Sequence, residues 1–216
     1  MKAKPVVFLG STLPVAEARS ILDADYRPPV KRGDIDALSI KRRPPAIAII
    51  DGEFFQSLAI SPKEILRAIE QGVPVWGASS LGALRAAELY PFGMTGVGIV
   101  FDLYRSGRVI FDDEVAVAYS RENGRPVSEA MINIRVALNQ ARREGIVGAA
   151  AARRLIAQAR EIYFPNRSWA ALWHRAEAWL PANDLRALQQ YIARLKPDVK
   201  RDDARLLLRQ MKRQNS

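Results

Sequence analysis

The sequence of 216 residues contains no cysteine and a single histidine, His174. Without cysteine, the chain has no disulfide, no thiol nucleophile and no thiolate ligand for a metal ion. With one imidazole in the whole chain, a Ser-His-Asp triad is not expected either. The reactive groups left to this protein are hydroxyls, carboxylates, amines and guanidinium groups.

Long apolar runs are also missing, because no stretch approaches the length that spans a bilayer. The first residues lead directly into an apolar run at 6–9, which is too short for a signal-peptide core and has no cleavage site. Hydrophobic residues make up 49% of the chain and charged residues 26%, as is typical of globular proteins. We therefore expect a cytoplasmic globular protein that does not contact a membrane.

The net charge of +10 is unevenly distributed along the chain. Residues 1–120 contain 14 Lys/Arg and 14 Asp/Glu, whereas residues 121–216 contain 19 and 9. A basic helical half is either a solvated surface or a docking surface for an acidic protein. Nucleic acid is disfavoured as a partner, because the chain carries no recognised binding motif and no aromatic residues between the basic ones.

Three short apolar runs, at residues 6–9, 46–50 and 73–78, are each followed by a loop and then a helical pattern. Continuous apolar runs of this length predict strands buried on both faces, and the strand–helix alternation predicts a parallel sheet. A further strand is expected within 112–119. The predicted fold is α/β, with a Rossmann-like open, mostly parallel sheet over residues 1–122.

Beyond the turn composition of residues 123–126, the pattern is helical to the end of the chain. Helices are expected at 128–143, 147–163, 169–180 and 184–195, followed by a frayed basic end at 200–214. Residues 123–216 are thus predicted to form a basic, all-helical domain. Its core is expected to include three tryptophans and the neighbouring histidine: Trp169, Trp173, Trp179 and His174.

Right-handed crossovers bring the carboxyl ends of parallel strands to one edge of a sheet, where open α/β folds bind ligands. Small polar residues follow each of the three predicted strands. The residues expected to share a cleft at this edge are Ser11, Thr12, Asp51, Gly52, Ser79 and Ser80.

The strand, tight turn and helix predicted over residues 73–89 centre on Ser80. Ala78 before it and Gly82 after it are small enough for a sharp strand-to-helix reversal, which is what a nucleophile elbow requires. Serine is equally a preferred N-cap, so a purely structural role for Ser80 stays open. If Ser80 is a nucleophile, the N–H groups of Ser80 and Leu81 at the helix start would stabilise the oxyanion.

A serine nucleophile in this chain needs a base other than histidine or cysteine. Lys63 is the first candidate, because its helix starts near the same predicted edge, although it is equally compatible with a solvated position. Glu114 is the second candidate. Glu64 is expected to complete a capping box with Ser61. Clustered acids at 112–114 point in different directions in a regular element, so we predict neither a metal site nor a cofactor.

Five blocks of the sequence stand out, in this order: Ile50-Asp51-Gly52-Glu53-Phe54; Pro62-Lys63-Glu64-Ile65-Leu66; Gly77-Ala78-Ser79-Ser80-Leu81-Gly82-Ala83-Leu84-Arg85-Ala86-Ala87-Glu88-Leu89; Gly93-Met94; and Asp112-Asp113-Glu114-Val115-Ala116-Val117. Together they resemble the TfuA-like family, in a match that covers roughly residues 6–140. Many relatives have Gly-Pro-Ser-Leu where this chain has Gly10-Ser11-Thr12-Leu13, and some have His-Lys-Glu where it has Pro62-Lys63-Glu64. The second difference argues against a histidine-based mechanism here.

The resemblance implies a partner of YcaO-type enzymes in the maturation of ribosomally made peptide natural products. In that chemistry YcaO performs the ATP-dependent conversion of a backbone amide to a thioamide. The TfuA-like partner is expected to release sulfide from the thiocarboxylated C-terminus of a ubiquitin-like sulfur-carrier protein, as a thioacid hydrolase. A non-catalytic adaptor that recruits the carrier or the peptide to YcaO is the alternative, and a nucleotide-binding protein is a third one.

Two sets of site residues follow from these observations. The expected catalytic residues are Ser80, Lys63, Asp51 and Glu114. The expected substrate- and oxyanion-binding residues are Ser11, Gly52, Ser79, Leu81 and Arg85.

Overall fold

The structure, a computed structural model, describes residues 3–41, 43–53, 59–120, 122 and 126–214. Phe54 of the first family-like block and residues 123–125 of the predicted turn lie outside this part of the chain. Two compact units are present, one formed by Met1–Asp112 with Lys200–Ser216 and the other by Asp113–Val199. No helix in the described ranges is long and apolar enough to cross a membrane.

The first unit contains a five-stranded sheet in which every neighbouring pair is parallel. Its strands are β1 (Val6–Phe8), β2 (Asp25–Arg27), β3 (Ile47–Ile49), β4 (Val75–Ala78) and β5 (Thr95–Val97), in the order β2-β1-β3-β4-β5. The three central strands are completely buried, as their apolar runs predict. The predicted α/β fold with an open parallel sheet is confirmed.

Helices follow the strands along the chain. They are α1 (Val15–Ile21), α2 (Asp34–Lys41), α3 (Pro62–Glu70), α4 (Leu81–Leu89) and α5 (Ile99–Arg105). Ser61 caps α3, since its hydroxyl accepts from the Lys63 N–H and the Glu64 carboxylate accepts from the Ser61 N–H. The predicted capping box is therefore confirmed, and it fixes where α3 begins beside the sheet.

The strand expected within 112–119 is absent from the structure. Asp112–Glu114 form a 3-10 turn instead, and Tyr119 makes only an isolated antiparallel bridge with Pro126. Val115 and Ala116 are both buried, so burial does not alternate as it does in a half-buried strand. The fifth strand is β5, an edge strand whose Thr-Gly-Val sequence lacks the apolar run that marks the three central strands.

The second unit is helical, which confirms the predicted helical region. Its helices are α6 (Met131–Arg143), α7 (Ala149–Glu161), α8 (Trp169–Ala176) and α9 (Ala182–Leu195), and they share one apolar core. The three tryptophans of the predicted core are partly buried and pack against it. His174 was expected to lie among them, but its side chain is 88% exposed. It therefore faces solvent.

The last helix, α10 (Val199–Gln214), differs from the frayed basic end expected from the sequence. Ala204, Leu207, Leu208 and Met211 are buried in the same core cluster as Val7 of β1 and Ala48 of β3. Their spacing of three, four and seven residues is that of one helix face. The predicted domains, 1–122 and 123–216, place α10 with the other helices, whereas the first compact unit includes it.

Candidate active site

The turn between β4 and α4 is tighter than the sequence suggested. Ser79, directly after the strand, has a φ of 70°, and the Ser80 N–H donates to the Ala78 carbonyl at 2.8 Å. A hydrogen bond between residues two apart, around a central residue with positive φ, closes a rare and strained kind of γ-turn. The chain thereby reverses over one residue, and α4 begins at Leu81.

Two glycines allow this turn to lie close against the sheet. A Cβ atom on Gly82 would lie 1.8 Å from the Ile49 carbonyl oxygen, and the Gly82 N–H donates to the Ile50 carbonyl at 3.3 Å. A Cβ atom on Gly77 would lie 2.2 Å from the Gly82 carbonyl oxygen. The first turn of α4 therefore packs directly on the backbone of β3 and β4, where no side chain fits.

The hydroxyl of Ser80 has the position of an N-cap but not its hydrogen bond. Ser80 precedes α4 and is 3% exposed, yet its side chain accepts no hydrogen bond from the helix start. Ser80 therefore does not perform the capping role that the sequence left open. Its own N–H is taken by Ala78, so of the two expected oxyanion donors only the Leu81 N–H has no acceptor among the described residues.

Ser79 presents a second unusual hydroxyl. Its side chain is completely buried, and within the described part of the chain Oγ has no hydrogen-bond partner. A buried polar atom without a partner is rare, because it loses its hydrogen bonds to water and gains none in return. The turn therefore combines backbone strain with an unpaired buried hydroxyl, a combination that is concentrated at functional sites.

Asp51 lies at the carboxyl end of β3, as predicted, but its carboxylate is occupied. It is 6% exposed and accepts from the Gly10 N–H at 2.8 Å, the Thr12 N–H at 3.2 Å and the Thr12 hydroxyl at 2.6 Å. These bonds tie the loop after β1 to the end of β3. Asp51 therefore organises the edge of the sheet, and Ser11 is held half-exposed within that loop.

The ends of β3 and β4 meet as the predicted topology requires. A Cβ atom on Gly52 would lie 2.3 Å from Leu81 Cδ2 and 2.9 Å from Val30 Cγ1, so the loop after β3 touches the first residue of α4. The structure thus brings Asp51, Gly52 and Leu81 to one edge of the sheet.

The two residues predicted as bases do not have the surroundings that this role needs. Lys63 is exposed to solvent, whereas a lysine that acts as a base or nucleophile is desolvated. Glu114 belongs to the second unit, where it is 2% exposed and bound by the Arg135 guanidinium through Nε and Nη2. The neighbouring Asp113 accepts from Arg167 at 3.1 Å. These acids therefore have structural partners.

A cavity of about 290 Å³ lies in the first unit, beside the starts of α3 and α4. Arg85 lines it one turn after Leu81; both of its hydrogen bonds run from Nη1 to the Glu88 carboxylate, at 2.7 and 2.8 Å. Arg85 Nε is buried without a partner in the described residues. The lining residues are Arg32, Ala59, Ile60, Ser61, Pro62, Leu81, Arg85 and Asp112.

The sequence indicated Arg85 as a site residue through its block alone, whereas the other polar residues of the described lining, Arg32, Ser61 and Asp112, were not among the expected site residues. Arg32 comes from the loop after β2 and Ser61 from the cap of α3, about fifty and twenty residues before α4. The motif at Ser61 predicts a helix cap and not a ligand site, and Arg32 lies in no motif. Their proximity in the folded structure is what shows that they line the same cavity.

A family model described as "TfuA-like protein" matches residues 51–168. No curated protein sequence matches the chain. The matched segment starts at the carboxylate at the end of β3 and includes the whole β4–α4 turn, the cavity-lining part of α4 and most of the helical unit. Since the match covers more than half of the 216 residues, this chain belongs to the TfuA-like family.

Proposed function

We propose that this protein hydrolyses the thiocarboxylated C-terminus of a ubiquitin-like sulfur-carrier protein. The released sulfide supplies a YcaO-type enzyme that converts a peptide backbone amide to a thioamide. The observation that carries this proposal is the β4–α4 turn, in which the Ser80 hydroxyl has no capping bond and the next N–H, that of Leu81, has no acceptor in the described residues. Hydrolysis of an acyl–sulfur bond is acyl transfer, which uses a hydroxyl nucleophile and an oxyanion donor in this arrangement.

In the proposed reaction, Ser80 Oγ attacks the thiocarboxylate carbon, and the Leu81 N–H donates to the oxygen on which negative charge develops. The carbon–sulfur bond breaks, and the hydroxyl proton leaves with the sulfur as hydrosulfide. Water then hydrolyses the seryl ester, giving the carrier's carboxylate, the free serine and a proton. Because the leaving sulfur accepts the serine proton in the first step, neither Lys63 nor Glu114 has to act as its base.

The test compares sulfide release from a thiocarboxylated carrier by the wild type and by Ser80→Ala. The variant should lose about a thousandfold in rate while its unfolding transition stays in place. Ser20→Ala is the matched control, because Ser20 is an exposed serine of the same unit whose hydroxyl binds the Glu17 carbonyl. Acid quench of the wild-type reaction followed by mass spectrometry should detect the carrier esterified to Ser80. Undiminished release by Ser80→Ala would overturn the serine mechanism.

A non-catalytic adaptor is the second candidate, and the exposed arginines of the helical unit favour it. Arg153 on α7 and Arg186 on α9 are both exposed on helices whose apolar faces form the core. Such residues suit the docking of an acidic partner. An adaptor would bind YcaO and the carrier without releasing sulfide, and Ser80→Ala would leave its effect on YcaO unchanged. Charge reversal at Arg153 and Arg186 would instead weaken complex formation.

A further inference from the structure

Only part of the Arg85 guanidinium group is hydrogen-bonded within the described part of the protein. Both oxygens of the Glu88 carboxylate accept from Nη1, which fixes the side chain, and the Nε–Nη2 edge has no acceptor among the residues that the structure describes. The side chain is 15% exposed, and Nε is among the buried atoms that have no partner in the described residues. A buried charged donor without an acceptor is costly, so an open edge of this kind indicates a ligand.

The chemistry of that edge selects the class of ligand. Nε and Nη2 of arginine present two parallel N–H groups at the spacing of the two oxygens of a carboxylate, and the pair is bidentate. Neither a lone point charge nor a neutral amide uses both donors in this way. The edge therefore suits a planar anion with two acceptor atoms on one carbon.

The cavity around Arg85 suits the same group. Ala59, Ile60, Pro62 and Leu81 provide apolar walls, which strengthen a charge pair by excluding water. Among the described lining residues are two arginines, Arg32 and Arg85, and one carboxylate, that of the exposed Asp112. The volume of about 290 Å³ is at the lower end of the range for ligand pockets, roughly 300–1,000 Å³, so the occupant is small.

We propose that this space, the Arg85 cavity, binds the terminal carboxylate of a peptide chain, with the carboxylate or its monothio analogue paired to Nε and Nη2 of Arg85. The choice of a chain end as occupant rests on the proposed function, whereas the choice of a planar anion rests on Arg85 itself. Leu81 belongs to both the cavity wall and the β4–α4 turn. A chain end held there lies beside the turn that carries Ser80. Glu88 is a positioning residue, because it acts by holding the guanidinium.

The experiment uses N-acetylated triglycine with a free carboxylate and the same peptide with a C-terminal amide. Each is titrated into the whole protein while the Arg85 Nε–H resonance is followed by NMR. We expect the acid to shift that resonance and to bind about tenfold more tightly than the amide. Arg85→Lys, for which the titration is followed through backbone amide resonances, should reduce the preference, because lysine keeps the charge but lacks the two-donor edge. Equal affinity for acid and amide would overturn the proposal.

The matched control is Arg105→Lys. Arg105 lies on α5 of the same unit and pairs with Asp102 three residues before it, but its side chain is 50% exposed and it does not line the cavity. This variant should keep the acid preference of the wild type, and its loss there would equally contradict the assignment. The titration needs no turnover. If the wild type releases no sulfide, the proposed function fails while the acid–amide comparison still decides the role of the Arg85 cavity.

Discussion

At the scale of single residues, Ser79 is the most unusual position in the described chain, with both a positive φ and a buried, unpaired hydroxyl. Ser79→Ala removes the hydroxyl and leaves the backbone conformation unchanged. We expect the free energy of unfolding to rise by about 1 kcal/mol, because alanine has no polar atom to desolvate. Urea unfolding of the two proteins measures this difference.

The control for Ser79→Ala is Ser20→Ala, which should change stability by less than about 0.5 kcal/mol because Ser20 is exposed. Destabilisation by Ser79→Ala would show that its hydroxyl has a partner in solution. Sulfide release adds a second result, since Ser79→Ala should keep it and Ser80→Ala should lose it. The reverse outcome would assign the nucleophile to Ser79.

The carboxylates show which property of a single residue the sequence does not predict, namely its hydrogen-bond partners. Asp51 was predicted correctly to lie at the end of a buried strand, because the apolar run and the glycine after it mark that end. Its three hydrogen-bond donors come from about forty residues earlier in the chain, and the partner of Glu114 comes from twenty-one residues later. A carboxylate's availability depends on these long-range partners, so its chemical role could not be predicted from spacing.

At the scale of secondary-structure elements, the packing of α4 on β3 depends on the missing side chain of Gly82. Gly82→Ala would place a Cβ atom 1.8 Å from the Ile49 carbonyl oxygen, a backbone atom that cannot rotate away. We expect α4 to be displaced and stability to fall by about 3 kcal/mol or more. Thermal unfolding and sulfide release should both report the change.

Gly148→Ala is the matched control for this substitution. Gly148 precedes α7, has a φ of −68°, and an added Cβ would meet nothing within 4 Å. Stability should fall there by about 1 kcal/mol or less, because alanine is a poorer N-cap than glycine. Equal behaviour of the two alanine variants would contradict the close packing of α4 on the sheet.

The elements that were predicted correctly have one property in common: a few consecutive residues are enough to indicate how they are buried. Strands β1, β3 and β4 are continuous apolar runs that end in glycine, aspartate or small residues, and a helical pattern follows each. Strand β5 was missed because Thr95 and Gly96 carry no apolar signal, and it belongs to the sheet through its pairing with β4. The apolar face of α10 was missed because arginines and lysines surround the four residues by which it joins the core cluster.

Asp203 links α10 to α5. Its carboxylate accepts from the Ile99 N–H at 2.9 Å and the Val100 N–H at 2.8 Å, and Gly98 leaves room for it, since a Cβ there would lie 2.2 Å from the Asp203 carboxyl carbon. Burial raises the pKa of Asp203 to about 6 from its ordinary 3.8, against the lowering effect of the two N–H donors. The folded protein thus holds this proton more tightly than the unfolded chain does.

The stability that this proton provides is full below about pH 4 and is lost as the pH rises through about 6. Relative to Asp203→Asn, the wild type should therefore lose about 3 kcal/mol of unfolding free energy between pH 3.5 and pH 7. Urea unfolding of both proteins across this range measures the difference. Other titrating groups contribute equally to both proteins and cancel; one of them is Glu17, whose pKa is lowered by Arg201. Asp202→Asn, which removes a carboxylate at an exposed neighbouring position, is the matched control.

At the scale of the whole molecule, the packing of α10 in the first unit changes how the charge distribution is interpreted. Along the chain, the basic excess lies beyond residue 120. In the compact units it is shared, with 20 Lys/Arg and 14 Asp/Glu in the first unit and 13 and 9 in the second. A docking surface for an acidic partner is therefore not confined to the helical unit, and charge-reversal experiments should include the exposed Arg209 and Arg213 of α10.

Because α10 belongs to the core of the first unit, shortening the chain tests whether this helix is required for the fold or is a dispensable tail. Ending the chain at Val199 removes Ala204, Leu207, Leu208 and Met211 from the cluster that contains β1 and β3. Burial of these side chains contributes roughly 6 kcal/mol, which is comparable to the whole stability of many domains. We expect this variant to lose its cooperative thermal transition, whereas a chain ending at Met211, which keeps all four, should retain it. A cooperative transition in the shorter chain would mean that the sheet is stable without α10.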